Sequence, residues 1–193
     1  QQGNISLGAN FDGGSGVISA TAGNSQTLTS AGGVFPALVI NKSGNSLTLN
    51  NNLNVSGDLR VVAGTFNPNS KTVTLTGTSS IFQPGGESYG ALNVNKTGDS
   101  DSVSFANGAN FITSSTVTLT NGQANNPFSV AQDVTLVTTF DGGDSAITLN
   151  GTGLQTLTLS SGTLPSGTLT VNKASGKAIV TGTGTLTGDI TLS

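Results

Sequence analysis

The sequence lacks several residue types on which most protein chemistry depends. None of its 193 residues is Cys, His, Met or Trp, and only 8% are charged. Without Cys and His there is no disulfide, thiol nucleophile, imidazole base or usual transition-metal ligand. The net charge of -3 provides no basic patch that could follow a phosphate backbone. The composition therefore argues against most enzyme mechanisms and against nucleic acid as a partner, and we expect no cofactor.

Long apolar runs are also missing. No stretch reaches the roughly 18 apolar residues that a membrane-spanning helix needs, so we expect no membrane span. Because translation begins with Met and the chain contains none, we expect a processed product or a segment of a longer polypeptide.

Small polar and β-branched residues are abundant instead. Gly, Thr, Ser and Asn account for 101 of the 193 residues. These types are poor helix formers and are typical of strands and turns. Short runs such as Leu47-Thr48-Leu49 and Val73-Thr74-Leu75 alternate apolar with polar residues, which is the period of a strand with one buried face. The sequence therefore predicts an all-β fold.

Two landmarks recur along the chain and divide it into three long repeat units, at about 11–65, 66–139 and 140–193. The first landmark is a Phe before a polar turn, and the second is an Asn-Lys pair about thirty residues later. The landmark residues are Phe11, Phe66, Phe140, Asn41, Lys42, Asn95, Lys96, Asn172 and Lys173.

The spacing of the landmarks indicates stacked coils. Phe11, Phe66 and Phe140 are 55 and 74 residues apart, so the middle unit is longer by about one coil of 18 to 20 residues. We therefore predict one domain, a parallel β-helix of roughly ten such coils, with the right-handed sense that parallel crossovers prefer. The alternative is an antiparallel β-sandwich array, which would need hairpin turns and no internal period.

These motifs resemble those of bacterial β-strand repeat-containing surface proteins, and more distantly β-helical adhesins and autotransporter passengers. The segment from Leu49 to Phe66 and the segment from Phe66 to Gly98 carry the resemblance. It implies export to an extracellular or cell-surface location and membership in a longer polypeptide or assembly. It implies no catalytic residue.

The repeated Asn-Lys pair is the most conspicuous candidate site. We expect Asn41, Asn95 and Asn172 to turn the chain between coils and to satisfy buried backbone groups with their amides, while Lys42, Lys96 and Lys173 lie at the solvated edge. Two functional alternatives are a periodic row of cations that binds an acidic glycan and a Lys-Asn isopeptide cross-link.

The other candidate residues have simple structural explanations. We expect Phe11, Phe66 and Phe140 to anchor the core. Asp12, Asp141 and Asp144 are weak Ca²⁺ candidates, because Ca²⁺ takes about six to eight oxygen ligands and Asp-Gly is a common turn. Asp99 and Asp101 could form the carboxylate pair of a glycoside hydrolase, but they lie in a polar loop.

Arrays of alternating Thr suggest a hydroxyl lattice of the ice-binding kind. They occur at 72–76, 116–120 and 181–185, but coils with segments such as Leu38-Val39-Ile40 lack them, so we expect ordinary strand residues. Tyr89 is the only Tyr, which leaves little aromatic surface for stacking on sugars.

The leading hypothesis is a non-enzymatic structural module of an extracellular rod, filament or layer. Unpaired terminal coils, with Ile190 and Leu192 at the edge, would pair with another copy or with flanking domains of a longer surface polypeptide. The alternatives are a module that binds a glycan or receptor and, with less support, a polysaccharide-active enzyme or an ice-binding protein.

Overall fold

The fold is a parallel β-solenoid, as the sequence predicts. A computed structural model describes residues 2–106, 110–113 and 116–193, and in these residues regular structure consists of strands alone. Every strand pairing within them is parallel, and each coil lies on the coil before it. The antiparallel sandwich is therefore excluded. The described residues include no helix with the length and apolar character needed to cross a membrane.

Each coil has three straight sides, called face 1, face 2 and face 3 in the order in which the chain passes through them. Face 1 contains β4 (Val34–Phe35), β6 (Leu53–Val55), β8 (Thr72–Leu75), β11 (Ala91–Asn95), the first part of β14 (Thr116–Asn125), β16 (Asp133–Leu136), β19 (Gln155–Leu159) and β21 (Ala178–Gly182). Face 2 contains β2 (Val17–Ala20), the first parts of β5 (Ala37–Leu49) and β7 (Leu59–Asn67), β9 (Ser79–Gln83), β12 (Ser102–Phe105), the second part of β14 and β17 (Phe140–Gly143). Face 3 contains β1 (Ile5–Ser6), β3 (Gln26–Thr29), the second parts of β5 and β7, β10 (Ser88–Tyr89), β13 (Asn110–Thr113), β15 (Phe128–Val130), β18 (Ile147–Leu149), β20 (Leu169–Val171) and β22 (Ile190–Leu192).

The number of coils is close to the prediction, but their length varies more. Asp12 pairs with Val34, which adds a level below the eight strands of face 1, so the described residues form about nine coils. One coil advances by as few as 17 residues, from Val117 to Val134, or as many as 26, from Asn95 to Asn121. The strands stay in register because the corner loops absorb the difference in length.

Alternation within the strands builds the core. In β8 and β19 the Leu and Val side chains point inward and are buried, while the Thr side chains between them are half-buried on the outside. The inward residues form one continuous cluster along the solenoid. Its centre includes aromatic rings whose centroids lie 4.1 to 6.0 Å apart, and the contacting pairs are Phe66–Tyr89, Phe82–Tyr89, Phe82–Phe105 and Phe105–Phe128.

The repeat units are not whole numbers of coils. From Asn41 to Asn95 the chain completes two coils and passes through two further faces; from Asn95 to Asn172 it completes three coils and passes through two further faces. The second interval is longer by one coil, but each interval stops one face before it would complete a further coil. Corresponding landmarks therefore lie at different positions around the axis and do not form one row.

Candidate functional site

The three Lys landmarks lie at three different corners of the solenoid. Lys42 is at the corner between face 2 and face 3 within β5, Lys96 follows β11 and Lys173 follows β20. Lys42 and Lys96 are each only 2% exposed, and Lys173 is half-buried. The prediction of a solvated Lys edge is therefore wrong, and a single row of cations for an acidic glycan does not exist.

Each Lys ammonium group points toward the preceding coil and binds two acceptors that are four residues apart. The acceptors are the carbonyl of Ala22 and the side chain of Gln26 for Lys42, the carbonyl of Thr76 and the side chain of Ser80 for Lys96, and the carbonyl of Gly151 and the side chain of Gln155 for Lys173. The Nζ of Lys42 lies 2.7 Å from each of its two acceptors and also donates to the carbonyl of Asn24 at 2.9 Å. None of these acceptors is an Asn side chain, so the contacts do not favour a Lys-Asn cross-link.

An ammonium group suits this position because it offers three donors and needs no acceptor. At a corner the parallel ladder is interrupted, and the carbonyls there would otherwise be buried without a partner. The Nζ of Lys96 lies 3.0 Å from the Ser80 hydroxyl and also binds a carbonyl, so its donors are directed at the protein. Buried and bonded in this way, Lys42 and Lys96 hold two coils together at a corner and are not accessible to a ligand.

Gln155 extends the Lys173 contact to a third coil. Its carboxamide oxygen accepts hydrogen bonds from the Lys173 ammonium at 2.9 Å and from the Gly151 N–H at 3.0 Å. Its carboxamide nitrogen donates to the carbonyls of Val130 and Gln132 at 2.8 and 2.7 Å. This side chain is 1% exposed, and its hydrogen-bonding groups are used on the coils above and below.

A glycine covers the Lys side chain from the next coil at two of the corners. A Cβ added to Gly64 would lie 2.6 Å from the Cβ of Lys42, and one added to Gly122 would lie 2.6 Å from the Cγ of Lys96. Both glycines have positive φ, at 81° and 94°. A side chain at either position would thus be disfavoured by backbone conformation and by space.

Burial shifts the pKa of these Lys residues in one direction. Desolvation lowers the pKa of Lys42, and it lowers the pKa of Lys96 to about 8, although the carboxylates of Asp101 and Asp58 partly oppose the second shift. Desolvation also lowers the pKa of Lys173, against the attraction of Asp133. The cause is the same in each case, because leaving water disfavours the charged form of an amine.

The Asn landmarks are more exposed than their Lys neighbours. Asn41, Asn95 and Asn172 are all exposed. The prediction that their amides satisfy buried backbone groups while the Lys side chains remain in water assigned the two roles the wrong way round.

The Phe landmarks occupy three different environments. Phe66 lies buried on face 3 and Phe140 buried on face 2, where both contribute to the core. Phe11 is 41% exposed, next to the bridge formed by Asp12, so the prediction of a core anchor is wrong at this position. Its coil is the first of the stack, and no earlier described coil covers it.

The Ca²⁺ candidates do not come together. Within the described residues no group of three or more His, Cys, Asp or Glu side chains is placed to hold a metal ion. The Asp141 carboxylate accepts from the Gln123 side chain and the Asp144 carboxylate from the Asn126 N–H, both at 3.3 Å. These two carboxylates serve as acceptors for the neighbouring coil.

The proposed hydrolase pair also has a local role. Asp101 accepts a hydrogen bond of 2.7 Å from the Gly98 N–H, which closes the turn that contains Asp99. Asp99 itself is exposed. Asp101 is thus engaged within the loop that both residues share.

Tyr89 lies in the core, fully buried against Phe66 and Phe82. Burial raises its pKa, and the nearby Glu87 adds to the effect. Its ring is therefore inaccessible to a sugar.

The Thr arrays all begin on face 1, although we expected coils without the motif to interrupt them. Arrays 72–76 and 116–120 begin in strands of face 1, and array 181–185 begins at Thr181 on the same face. The segments that lack the motif lie elsewhere, since Leu38-Val39-Ile40 is on face 2 and Phe128-Ser129-Val130 on face 3. Their sequences therefore do not interrupt face 1.

The predicted edge residues are exposed on the last coil. Ile190 is 51% and Leu192 79% exposed, although they continue the inward rows of Leu169 and Val171. Val180 on face 1 is likewise 44% exposed above the fully buried Leu157.

Comparison with known proteins identifies no relative of this chain. No family model, curated protein sequence or solved structure matches this chain.

Sequence reasoning missed the partners of the Lys residues, although a signal for two of them was present. The motif Gln-Thr-Leu-Thr occurs at 26–29 and again at 155–158. Each Gln precedes a landmark Lys, by 16 residues for Lys42 and by 18 for Lys173. A separation close to one coil places the two side chains on top of each other.

Proposed function

We propose that this chain is a non-enzymatic structural module, a β-solenoid rod that forms part of an extracellular or cell-surface assembly. Its terminal coils would pair with further coils, supplied by a second copy joined end to end or by flanking domains of a longer surface polypeptide. The proposal is consistent with the resemblance to bacterial surface repeat proteins, in which such repeats imply export and a place in a larger structure.

The observation that carries the proposal is the exposed apolar end of the last coil. Each inward row is covered by the next coil along the stack until it reaches Val180, Ile190 and Leu192, where large apolar side chains face solvent. The backbone of β21 and β22 has one paired edge, and the other edge can accept a further parallel strand. A contact between unlike ends does not close on itself, so repetition would produce a filament.

Side-chain chemistry within the stack supports a structural role. The Lys ammonium groups, the Gln155 carboxamide and the Asp101, Asp141 and Asp144 carboxylates bind groups of their own chain. These polar groups fix one coil to another or close a turn.

Electron microscopy of the purified chain over a concentration series tests the proposal. We expect filaments that lengthen with concentration and have an axial repeat of about 43 Å, the height of nine coils at one strand spacing each. Ile190→Asp and Leu192→Asp should abolish them by placing a charge on the end of an apolar row. Thr191→Asp is the matched control, because Thr191 continues the outward row of Thr170 and should leave the filaments intact.

Short rods that never join would contradict self-assembly, as would filaments that survive both Asp substitutions. Loss of filaments in Thr191→Asp as well would show that added charge, and not the apolar edge, controls association.

A further inference from the structure

Face 1 presents a continuous row of hydroxyl and amide side chains along the solenoid axis. Seven consecutive coils contribute one outward residue each, and the strand register pairs every member with the next: Asn54, Thr74, Asn93, Thr118, Thr135, Thr158 and Thr181. Neighbouring members are separated by one strand spacing, about 4.8 Å. The last four members are all Thr.

A second dimension of the array runs along the strands. Thr72, Thr116 and Thr156 precede central-row Thr residues by two positions, and Thr76 and Thr120 follow by two. Residues two apart on a strand face the same side at about 6.6 Å. Together with the central row they outline a rectangular lattice of hydroxyl groups. Its flanking row is interrupted by Ala91, Asp133 and Ile179, while the central row is uninterrupted from Asn54 to Thr181.

The central Thr side chains are held in place and remain available. Thr74, Thr118, Thr135 and Thr158 are half-buried between their neighbours on adjacent coils, and branching at Cβ restricts rotation about χ1. Among the described residues, none of these four hydroxyls has a hydrogen bond to the protein, whereas the Thr120 hydroxyl donates to the Asn93 side chain at 2.6 Å. Each of the four can therefore bind water at a fixed position.

The other two faces do not offer a comparable row in the described residues. An outward row on face 2 runs through Ser19, Val39, Arg60 and Gln83, which differ in size, polarity and charge. Face 3 has two shorter rows, Thr27, Thr48 and Asn67 on three coils and Ser129, Thr148, Thr170 and Thr191 on four. Face 1 is thus the face with a continuous row of outward hydroxyl and amide side chains over most of the solenoid.

We infer that face 1 binds ice, through water molecules that its Thr row orders at the spacing of the coils. One repeat of the ice lattice is close to the distance between stacked strands, so waters held on successive coils can continue into the crystal. Hydroxyl and methyl groups on the same rigid side chain provide a hydrogen bond and an apolar contact together. A crystalline polysaccharide fits less well, because the only Tyr is in the core.

This inference is independent of end-to-end assembly, and its experiment uses a different surface. The chain would be mixed with a globular protein that does not bind ice, a single ice crystal would be grown slowly in the solution, and both proteins would be measured in the melted ice. Inhibition of ice recrystallisation is the second readout. We expect enrichment of the chain in the ice and smaller crystals than with the globular protein.

The variants Thr118→Lys and Thr135→Lys place a long charged side chain in the middle of the row. Both readouts should fall to the level of the globular protein, while thermal unfolding shows that the variants remain folded. Thr148→Lys is the matched control, since Thr148 is equally half-buried and outward on face 3, and it should retain both activities. Exclusion of the unmodified chain from ice would overturn the inference, as would an equal loss in Thr148→Lys.

Discussion

The ammonium group of Lys42 lies 2.7 Å from the carboxamide oxygen of Gln26, which is sixteen residues earlier in the chain and one coil below. The same ammonium group binds the carbonyls of Ala22 and Asn24, and the Gln26 carboxamide nitrogen donates to the carbonyl of Gly3 in the coil before. One buried cation and one buried amide thereby connect three coils. Stability in a solenoid depends on contacts between neighbouring coils, so such a corner should contribute strongly.

Replacing the buried cation should destabilise the fold. Lys42→Met keeps most of the side-chain volume but leaves two buried acceptors, the Ala22 carbonyl and the Gln26 side chain, and the partly buried Asn24 carbonyl without their donor. We expect the free energy of unfolding to fall by about 2 to 4 kcal/mol, as for other buried polar groups that lose a charged partner. Denaturant unfolding followed by circular dichroism measures it. Lys177→Met is the control, because Lys177 is exposed, and it should change stability by less than about 0.5 kcal/mol.

Equal stability of the two Met variants would show that the corner contacts contribute nothing. Thermal unfolding of Lys173→Met provides an intermediate case. Its ammonium is half-buried, so its loss should cost less than that of Lys42.

The glycine above Lys96 should tolerate no side chain. A Cβ at Gly122 would lie 2.6 Å from the carbonyl oxygen of Asp101 and 2.6 Å from the Lys96 Cγ, in a backbone with φ of 94°. Gly86 is a matched control for the backbone alone, because its φ is 84° and nothing lies within 4 Å of an added Cβ. We expect Gly86→Ala to cost about 1 to 2 kcal/mol from the left-handed conformation. Gly122→Ala should cost at least about 1 kcal/mol more, because it also overpacks the corner.

Denaturant midpoints of the two variants, measured side by side, separate the steric cost from the conformational one. If Gly122→Ala is no less stable than Gly86→Ala, the close contact with Lys96 is not part of the folded state in solution.

The strands and their stacking could be predicted from sequence because the signal is local and repeated. Alternation at segments such as Leu47-Thr48-Leu49 identifies a strand with one buried face, and recurrence at a roughly constant interval identifies a coil. Neither inference requires knowledge of distant contacts.

The positions of the landmarks around the axis could not be predicted in the same way. Coils contain from 17 to 26 residues, so a spacing of 54 or 77 residues between Asn-Lys pairs does not identify the face on which each pair lies. The burial of Lys42 could not be predicted from sequence either, because Lys is usually exposed and its burial here depends on acceptors in another coil. The recurring Gln-Thr-Leu-Thr motif was the available clue to two of those acceptors.

The Phe landmarks should differ in their contribution to stability despite their similar sequence context. Phe66 is fully buried in the aromatic core, whereas Phe11 is 41% exposed. Phe66→Ala should lower the free energy of unfolding by about 3 to 5 kcal/mol through lost burial and the cavity left behind. Phe11→Ala should cost less than about 1 kcal/mol. Denaturant unfolding of both variants decides this, and similar costs would mean that Phe11 is buried in solution.

The low pKa of Lys96 predicts that stability rises with pH under mildly alkaline conditions. Its pKa is about 8 in the folded chain and 10.5 in the unfolded one, so between these values the unfolded state binds more protons. Stability therefore increases as pH rises through this window, and below the window Lys96 causes no change of stability with pH because it is protonated in both states. A neutral amine keeps two N–H donors for the Thr76 carbonyl and the Ser80 hydroxyl, so these contacts survive deprotonation.

Titration of Tyr89 sets the upper end of the pH range in which stability rises. Its pKa is raised from the ordinary value of 10.0, so above pH 10 the unfolded state alone loses the phenol proton and stability falls. Between pH 8 and pH 10 we expect Lys96 to add about 2 kcal/mol to the free energy of unfolding. Denaturant midpoints at pH 7, 8, 9 and 10 measure the rise, and Lys96→Met should flatten it because the titrating group is gone. A stability that does not rise between pH 8 and pH 10 would mean that the buried Lys96 keeps its proton, because the Thr76 and Ser80 acceptors then stabilise the charged amine by as much as desolvation disfavours it.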